Sequence, residues 1–328
     1  MSFFSPFVRR IATGGALILA ATAVGAQTAP WPSQPIRIVV PYPAGGTSDT
    51  VARVVGRRLG EQLGVPVIIE NRPGASGNIG AQVVAKSPGN GYTLMVGGPN
   101  NFASNQFLYK HLQYDIEKEL VGVTLLTQLS NLMLVPNSLK VADLKEFIAA
   151  AKAKPNTFNC ASTGLATSSH LTLELFKSKS QVDAQHIPMK GSAGVVTELM
   201  GERVECAFDN MPGHLSHLKT GRYRALAVTT TKRSPYLPDV PTFTELGYPG
   251  VVSTSWFALA APASTPPALV ARISEAVRKV LAEREIIATF EAAGYTPGGT
   301  TPEETAEFFS QEIRKWRQVI EAAGIKAE

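Results

Sequence analysis

The chain has 328 residues, 31 of them Lys or Arg and 26 Asp or Glu, with two cysteines and 44% hydrophobic residues. The basic surplus is small and forms no Lys/Arg stripe of the kind a nucleic-acid surface needs, and beyond the N-terminus no segment is apolar for long enough to cross a bilayer. This length exceeds what one compact core organises, so two lobes are expected.

The chain opens on MSFFSPFVRR, with two arginines, followed by the short apolar run IATGGALILAATAV and then VGA before Gln27. That order predicts a secretory signal peptide over residues 1–26, cleaved after Ala26; the run is too short and too rich in Ala and Gly for an anchor helix. Export removes Arg9 and Arg10, leaving 29 basic residues against 26 acidic ones, a charge of +3. It also puts Cys160 and Cys206 in an oxidising compartment, where they form either one disulfide or two buried thiols.

From Ile36 the pattern alternates. PIRIVVPY is a β-branched run of the kind covered on both faces, and TVARVVGRRLGEQLG carries apolar residues at helical spacing up to Gly64. PVIIE predicts a second strand, NRPGASGNIGAQVVAKS a Gly-rich turn entering a helix, and YTLMVGG a third strand. Strand, helix, strand, helix, strand is the order of an open parallel sheet, whose ligands collect beyond the carboxyl ends of the strands. After a connecting region, TLLTQLSNLMLVP is extended, and the alternation restarts with VADLKEFIAAAKAKP, TFNCAS, TGLATSSHLTLELFKSK, AQHIPMKG, GVVTELMGERV and VECAFDN. RALAVTT, a Pro-rich loop and SWFALAAP lead to two further helical segments, ALVARISEAVRKVLA and PEETAEFFSQEIRKWRQVIEAAG. One lobe is thus interrupted by another: 31–125 and 253–328 form lobe 1, and 126–252 form lobe 2. Two crossings between lobes create a cleft and a hinge.

Enzymatic signatures fail one by one. Gly45-Gly46-Thr47 lacks the lysine of a phosphate-binding loop, and NRPGASGNIG does not space its glycines as a dinucleotide site does. MKGSAG has Lys190 where a nucleophile elbow needs glycine. His214 and His217 share a segment read as an exposed helix turn, with no third ligand near them, so no metal or other cofactor is expected. A secreted hydrolase using Ser168 or Ser169 with His170 or His186 is the rival class, but adjacent helical residues point different ways and no third member is evident.

What remains are strand-end loops of Gly, Ser, Thr and Asn. They expose backbone N–H groups at helix N-termini, where the peptide dipoles favour anions. Asp49 is either a contact or a first-turn acid of its helix. Asn78 and Asn101 are polar contacts or left-handed turn residues. His170 reads as a structural histidine. Tyr42, Phe102 and Phe208 are either cleft walls or packing.

The strings WPSQPIRIVVPYPAGGTSD, VIIENRPGASGNIGAQVVAKS, GYTLMVG, IPMKG, GERVECAFDN, RALAVTTTKRSPYLPDVPTFTELG and WFALAAPASTP, in this order across nearly the whole mature chain, resemble the Bug, or TctC, family of periplasmic solute receptors serving tripartite tricarboxylate transporters. The resemblance implies an α/β, type II-like Venus flytrap whose two lobes are doubly wound, mainly parallel sheets joined by two crossover segments. It implies a monomeric periplasmic receptor, not an enzyme, that takes a small organic carboxylate (a di- or tricarboxylate, an aromatic acid or an acidic amino acid) and presents it to the transporter's membrane subunits. A ligand-sensing adaptor for a two-component system is the alternative within the same fold.

Carried over by position, the family's first carboxylate loop falls on Tyr42 to Asp49, with Ala44 in place of the first residue of its Pro-Gly-Gly pattern and Gly45, Gly46 and Thr47 supplying N–H groups. Its second Gly-rich turn matches Asn71 to Asn78, and the third-strand loop matches Gly98 to Asn101. In lobe 2 the matching loop runs from Thr163 to His170, with Thr167 and Ser168 heading the helix. Asp209 matches the strand tip that meets an ammonium group in amino-acid-binding relatives. Neither carboxylate loop carries Arg or Lys, so backbone donors, hydroxyls and water are expected to hold the anion.

Overall fold

A computed structural model describes residues 31–325; the expected signal peptide lies outside the described residues. The strands among them are β1 (Ile36–Val40), β2 (Val67–Asn71), β3 (Thr93–Gly97), β4 (Leu120–Pro136), β5 (Phe158–Ser162), β6 (Ala184–Pro188), β7 (Cys206–Asn210), β8 (Tyr223–Val228), β9 (Thr254–Pro262) and β10 (Thr296–Pro297).

Two α/β lobes result. In the first, β1 pairs in parallel with β2 and β3, and β9, the first part of β4 and β10 extend the sheet antiparallel. In the second, β5 pairs in parallel with β6 and β7, and the second part of β4 adds β7 and β8 antiparallel. The apolar run of β1 is explained by cover on both faces. Ile36, Ile38 and Val40 pack with Val51, Ala52, Val55 and Leu59 of helix Thr47–Leu63. Val39, pointing the other way, packs with Ala81 and Val84 of helix Asn78–Ala85. The second lobe repeats the scheme: Phe158 and Cys160 face Phe147, Leu173 and Phe176, while Ala161 faces Val195 and Leu199.

β4 is the first crossing. Up to Ser130 it pairs with β9, and from Asn131 onward with β7 and β8. The returning crossing, between β8 and β9, is fastened to it at that point. Thr229 N–H donates to Asn131 O at 3.1 Å, Ser253 N–H donates to Thr229 O at 3.0 Å, and the Asn131 amide reaches Thr172 Oγ1 at 3.3 Å. Buried hydrogen bonds of this kind resist shear better than apolar contact, because each broken one strands a polar group.

Cys160 and Cys206 are register partners on β5 and β7 and form a disulfide, with Cα atoms 4.5 Å apart. The bond closes 46 residues of chain, for which loop entropy predicts about 2–4 kcal/mol. Urea denaturation of the Cys160→Ala, Cys206→Ala double variant is expected to register that loss. A change below about 1 kcal/mol would mean the sheet alone holds the two strands.

The C-terminal helix, Pro302–Ala323, starts on a capping box between Thr301 and Glu304. It returns to lobe 1, as expected, but also reaches lobe 2. Ile313, Trp316 and Ile320 pack with Ala103 and Leu108 on one side and Ala166 and Leu171 on the other.

Candidate functional site

The carboxyl ends of β1, β3, β5, β6 and β7 converge on one cleft between the lobes, enclosing about 560 Å³, part of it open to solvent. Tyr42, Ala44, Gly46 and Thr47 line it from lobe 1, and Thr163, Thr167 and Ser168 from lobe 2. Seven of the residues expected from sequence therefore meet in one place.

Helix Thr47–Leu63 begins at Gly46, and helix Ser168–Ser180 at Thr167, whose hydroxyl accepts from His170 N–H. The first N–H groups of each helix have no acceptor within it. Those of Thr47, Ser48 and Ser168 belong to residues bordering the cleft. A third helix, Ser192–Met200, also begins there, after Gly191, and Gly191, Ser192 and Ala193 line the wall. Three positive helix ends thus face one cavity. The sequence reading missed this third one because MKGSAG was tested only as a nucleophile elbow; as a small-residue loop entering a helix it carries the same signal as the other two.

Lys190 lines the cleft as well. Its side chain is exposed and has no ion pair or hydrogen bond with any described residue. The two expected loops carry no cationic side chain, and the third loop brings Lys190 to the cleft wall. No described Asp or Glu lines the cleft. Asn100, Asn210, Ser255 and Phe257 complete the polar and aromatic walls.

The remaining expected residues stand behind the lining. Asp49 is buried, and its carboxylate accepts from Gly45 N–H at 2.9 Å, from Arg53 Nε at 2.9 Å and from Asn71 Nδ2 at 2.9 Å. Burial alone would raise its pKa, but the hydrogen bonds from Arg53, Gly45 and Asn71 outweigh it and hold the carboxyl below the usual range. Asp49 therefore braces the loop, and the Gly45 N–H that was expected to face an anion is spent on it. Gly45 itself sits at φ +80, a conformation that favours glycine.

Asn101 is fully buried; its Oδ1 accepts from Tyr42 OH at 2.8 Å and Gly98 N–H at 3.3 Å. Asn78 Oδ1 accepts from Asn105 Nδ2 at 2.5 Å. Neither adopts a left-handed turn; Asn101 and Asn100 hold the Tyr42 hydroxyl from behind, and Asn78 Oδ1 faces the Tyr114 hydroxyl at 3.4 Å. Burial pushes the Tyr42 hydroxyl well up, so it stays protonated as a donor. Phe102 and Phe208 are core residues.

Asp209 is fully buried and does not reach the cleft. Ser192 Oγ donates to its Oδ1 at 2.9 Å, and Asn210 N–H donates to the same oxygen at 2.6 Å. His214 Nε2 lies 2.8 Å from Oδ2, and His214 Nδ1 lies 2.7 Å from Tyr223 OH. The reading of His214 as part of an exposed turn is corrected: the ring is fully buried and bridges Asp209 and Tyr223. This is not a hydrolytic triad, since the carboxylate, not the imidazole, receives the serine proton. The rival Ser/His pairs do not form either. Ser169 Oγ bonds Thr163 and Thr167, His170 Nδ1 accepts from Ala166 N–H at 3.1 Å, and His186 Nε2 meets Ser162 Oγ at 2.6 Å.

His170 and His186 stack with ring centres 3.9 Å apart. Burial lowers the pKa of His170 to about 4, helped by Lys177, and that of His186 to about 3, helped by His170 and then Lys177. The unfolded imidazoles titrate near 6.5. Below that pH the unfolded chain binds protons that the native one refuses, so stability is full above about pH 6.5 and falls as pH drops towards 4 and then 3. Thermal melts from pH 7 to 4 are expected to record this decline, and His186→Gln to flatten it; an unchanged slope in the variant would assign the decline to other groups.

The chain is similar over nearly its whole length to known proteins. BugT of Bordetella pertussis is 36% identical over 317 residues, 96% of this chain and 95% of that protein. The structure of R. palustris Rpa4515 with adipate superposes with a TM-score of 0.88 at 36% identity, covering 91% of this chain and all of that one. MatC (Rpa3494) from Rhodopseudomonas palustris with bound malate gives 0.83 at 29% identity, covering 88% and 100%. The architecture shared with these neighbours is the two-lobed periplasmic-binding-protein fold. The model of the tripartite tricarboxylate transporter family receptors matches residues 51–325, and with relatives this similar from end to end the chain belongs to that family, TctC.

Proposed function

We propose that this chain is an exported receptor that captures a small organic di- or tricarboxylate in the cleft and delivers it, unchanged, to the membrane subunits of a tripartite tricarboxylate transporter. One observation carries the reading: three helix N-termini and the Lys190 ammonium meet at a cavity with no described acidic side chain in its lining. Such a cavity offers N–H donors to an anion from both lobes and repels none. The adipate held by Rpa4515 and the malate held by MatC support a dicarboxylate.

In this reading Tyr42, Ala44, Gly46 and Thr47 hold one carboxylate and Thr163, Thr167 and Ser168 the other, while Gly45, Asp49, Asn78, Asn101 and Asp209 keep the lining in position. Lobe 1 comprises 31–125 and 253–328, and lobe 2 comprises 126–252; the change of sheet within β4 supports a crossing in this strand, at Ser130 and Asn131, a few residues beyond that boundary. Closure follows from contacts available only when both jaws touch the acid. Thr47 Oγ1 and Ser192 Oγ already lie 3.3 Å apart across the cleft. Export rests on the N-terminal run, and no helix of the described residues is long and apolar enough to cross a membrane.

Thermal-shift screening of aliphatic and aromatic mono-, di- and tricarboxylates against the mature chain tests the class. At least one di- or tricarboxylate is expected to raise the melting temperature; stabilisation by neutral sugars or metal ions alone would overturn the reading. Lys190→Ala is expected to weaken that acid roughly 3- to 10-fold and to reduce the salt dependence of binding. Equal affinity and salt dependence would remove Lys190 from the site.

A further inference from the structure

Lobe 2 does not shape its cleft loop alone. Between the cleft-lining residues Thr163 and Thr167, Ala166 sits at φ +60, a left-handed conformation disfavoured for a residue with a side chain. Such a backbone persists only where its surroundings hold it. One restraint comes from lobe 2 itself: His170 Nδ1 accepts the Ala166 N–H at 3.1 Å. Two others come from outside. Ser104 Oγ, on the lobe 1 segment that follows the cleft-lining Asn100, donates to Ala166 O at 2.9 Å. The Ala166 methyl lies in one apolar cluster with Ile313, Trp316 and Ile320 of the C-terminal helix. That helix is anchored in lobe 1. One oxygen of its buried Glu312 accepts from Trp256 Nε1 at 2.8 Å and from Trp316 Nε1 at 2.9 Å. Trp256 lies on β9 between the cleft-lining Ser255 and Phe257. Trp316 is thereby tied to a lobe 1 strand while it packs against a lobe 2 loop. Ser104, Ala166 and Trp316 are all buried, and none of them lines the cleft.

We propose that Ser104 and Trp316 are positioning residues for ligand binding: as the lobes close, they engage Ala166 and set loop 163–168 in the shape that receives a carboxylate. The inference rests on the carboxylate-receptor reading and adds to it a coupling between closure and assembly of the lobe 2 jaw. When the lobes separate, Ala166 O gains water in place of Ser104, its methyl loses the C-terminal helix, and only His170 opposes relaxation of the strained backbone. Both contacts then act in the closed state alone, where the acid is held, so each strengthens binding without touching the acid. A contact present equally in the free and the bound protein would stabilise the fold and leave affinity unchanged.

Ser104→Ala, which deletes one buried donor and adds no bulk, separates the two cases. Succinate, malate, adipate and citrate are titrated into the native protein by calorimetry, and the tightest binder is carried forward. The variant is expected to bind that acid roughly 3- to 10-fold more weakly, while the melting temperature of the unliganded protein moves by less than about 2 °C. A second measurement follows the latch itself. The chain's three tryptophans are Trp31, Trp256 and Trp316. In the native protein the acid is expected to protect tryptophan fluorescence from quenching by acrylamide, because closure covers Trp316. Trp316→Phe is expected to lose that protection and Trp31→Phe to keep it. Should Ser104→Ala lose stability as well as affinity, the tryptophan measurement decides alone. Affinity of Ser104→Ala within about twofold of native, no protection in the native protein, or undiminished protection in Trp316→Phe overturns the coupling and leaves the carboxylate receptor intact. Failure of every acid to bind overturns both.

Discussion

Replacing Gly46 by valine is expected to weaken dicarboxylate binding by roughly 10- to 100-fold while the melting temperature of the unliganded protein stays nearly constant. The backbone at Gly46 has φ −82, open to any residue, and an added Cβ meets only Pro43 O at 3.6 Å, an ordinary contact. The fold therefore tolerates a side chain there. The ligand does not, because Gly46 lines the cleft at the start of helix Thr47–Leu63, and branched methyl groups would stand between a carboxylate and the first N–H groups of that helix. The estimate corresponds to losing one charge-assisted hydrogen bond, about 1.5–3 kcal/mol. Calorimetry with the best-bound acid checks the first part and a thermal melt the second. Unchanged affinity would take this loop out of the site; a collapsed melt would show that Gly46 serves the fold instead.

Asp209→Ala is expected to destabilise the protein by about 3–5 kcal/mol, the largest loss from any one side chain considered. The carboxylate receives Ser192 Oγ, Asn210 N–H and His214 Nε2, all at 2.9 Å or closer. Truncation strands the Asn210 N–H and His214 Nε2 donors in the core, while Ser192 turns to the cleft, and the penalty for an unpaired buried group exceeds the net value of the bond it lost. Asp209→Asn, of the same shape and still an acceptor, is expected to cost less. Urea denaturation decides the matter: a loss below about 1 kcal/mol for the alanine variant would mean that water enters and replaces the carboxylate.

The parts of this architecture that could be read from sequence are those whose determinants are local. β1 and helix Thr47–Leu63 were legible because a β-branched run, a Gly-rich turn and apolar residues at helical spacing follow one another without interruption. The small-residue loops Tyr42 to Asp49 and Thr163 to His170 were legible for the same reason. β4 was read from Thr124 onward: its start at Leu120 follows directly on the short helix Ile116–Glu119, with no turn residue to mark the change. Asn78 and Asn101 looked like contacts because a polar residue at a strand end carries no sign of whether it faces ligand or core. Here they face the Tyr42 and Tyr114 hydroxyls. Asp209 looked like a contact for a similar reason, since its commitment to Ser192 and His214 depends on how β7 sits beside helix Ser192–Met200.

The central claim is that the cleft holds a small organic di- or tricarboxylate and releases it intact. Isothermal titration of the mature chain with a panel of such acids, followed by mass spectrometry of the recovered ligand, measures this most directly. The account predicts one-to-one binding of at least one acid at micromolar or tighter affinity, lost in Gly46→Val, with the acid recovered at unchanged mass. Absence of binding heat for every acid in the panel, or recovery of a hydrolysed or otherwise altered product, would contradict it.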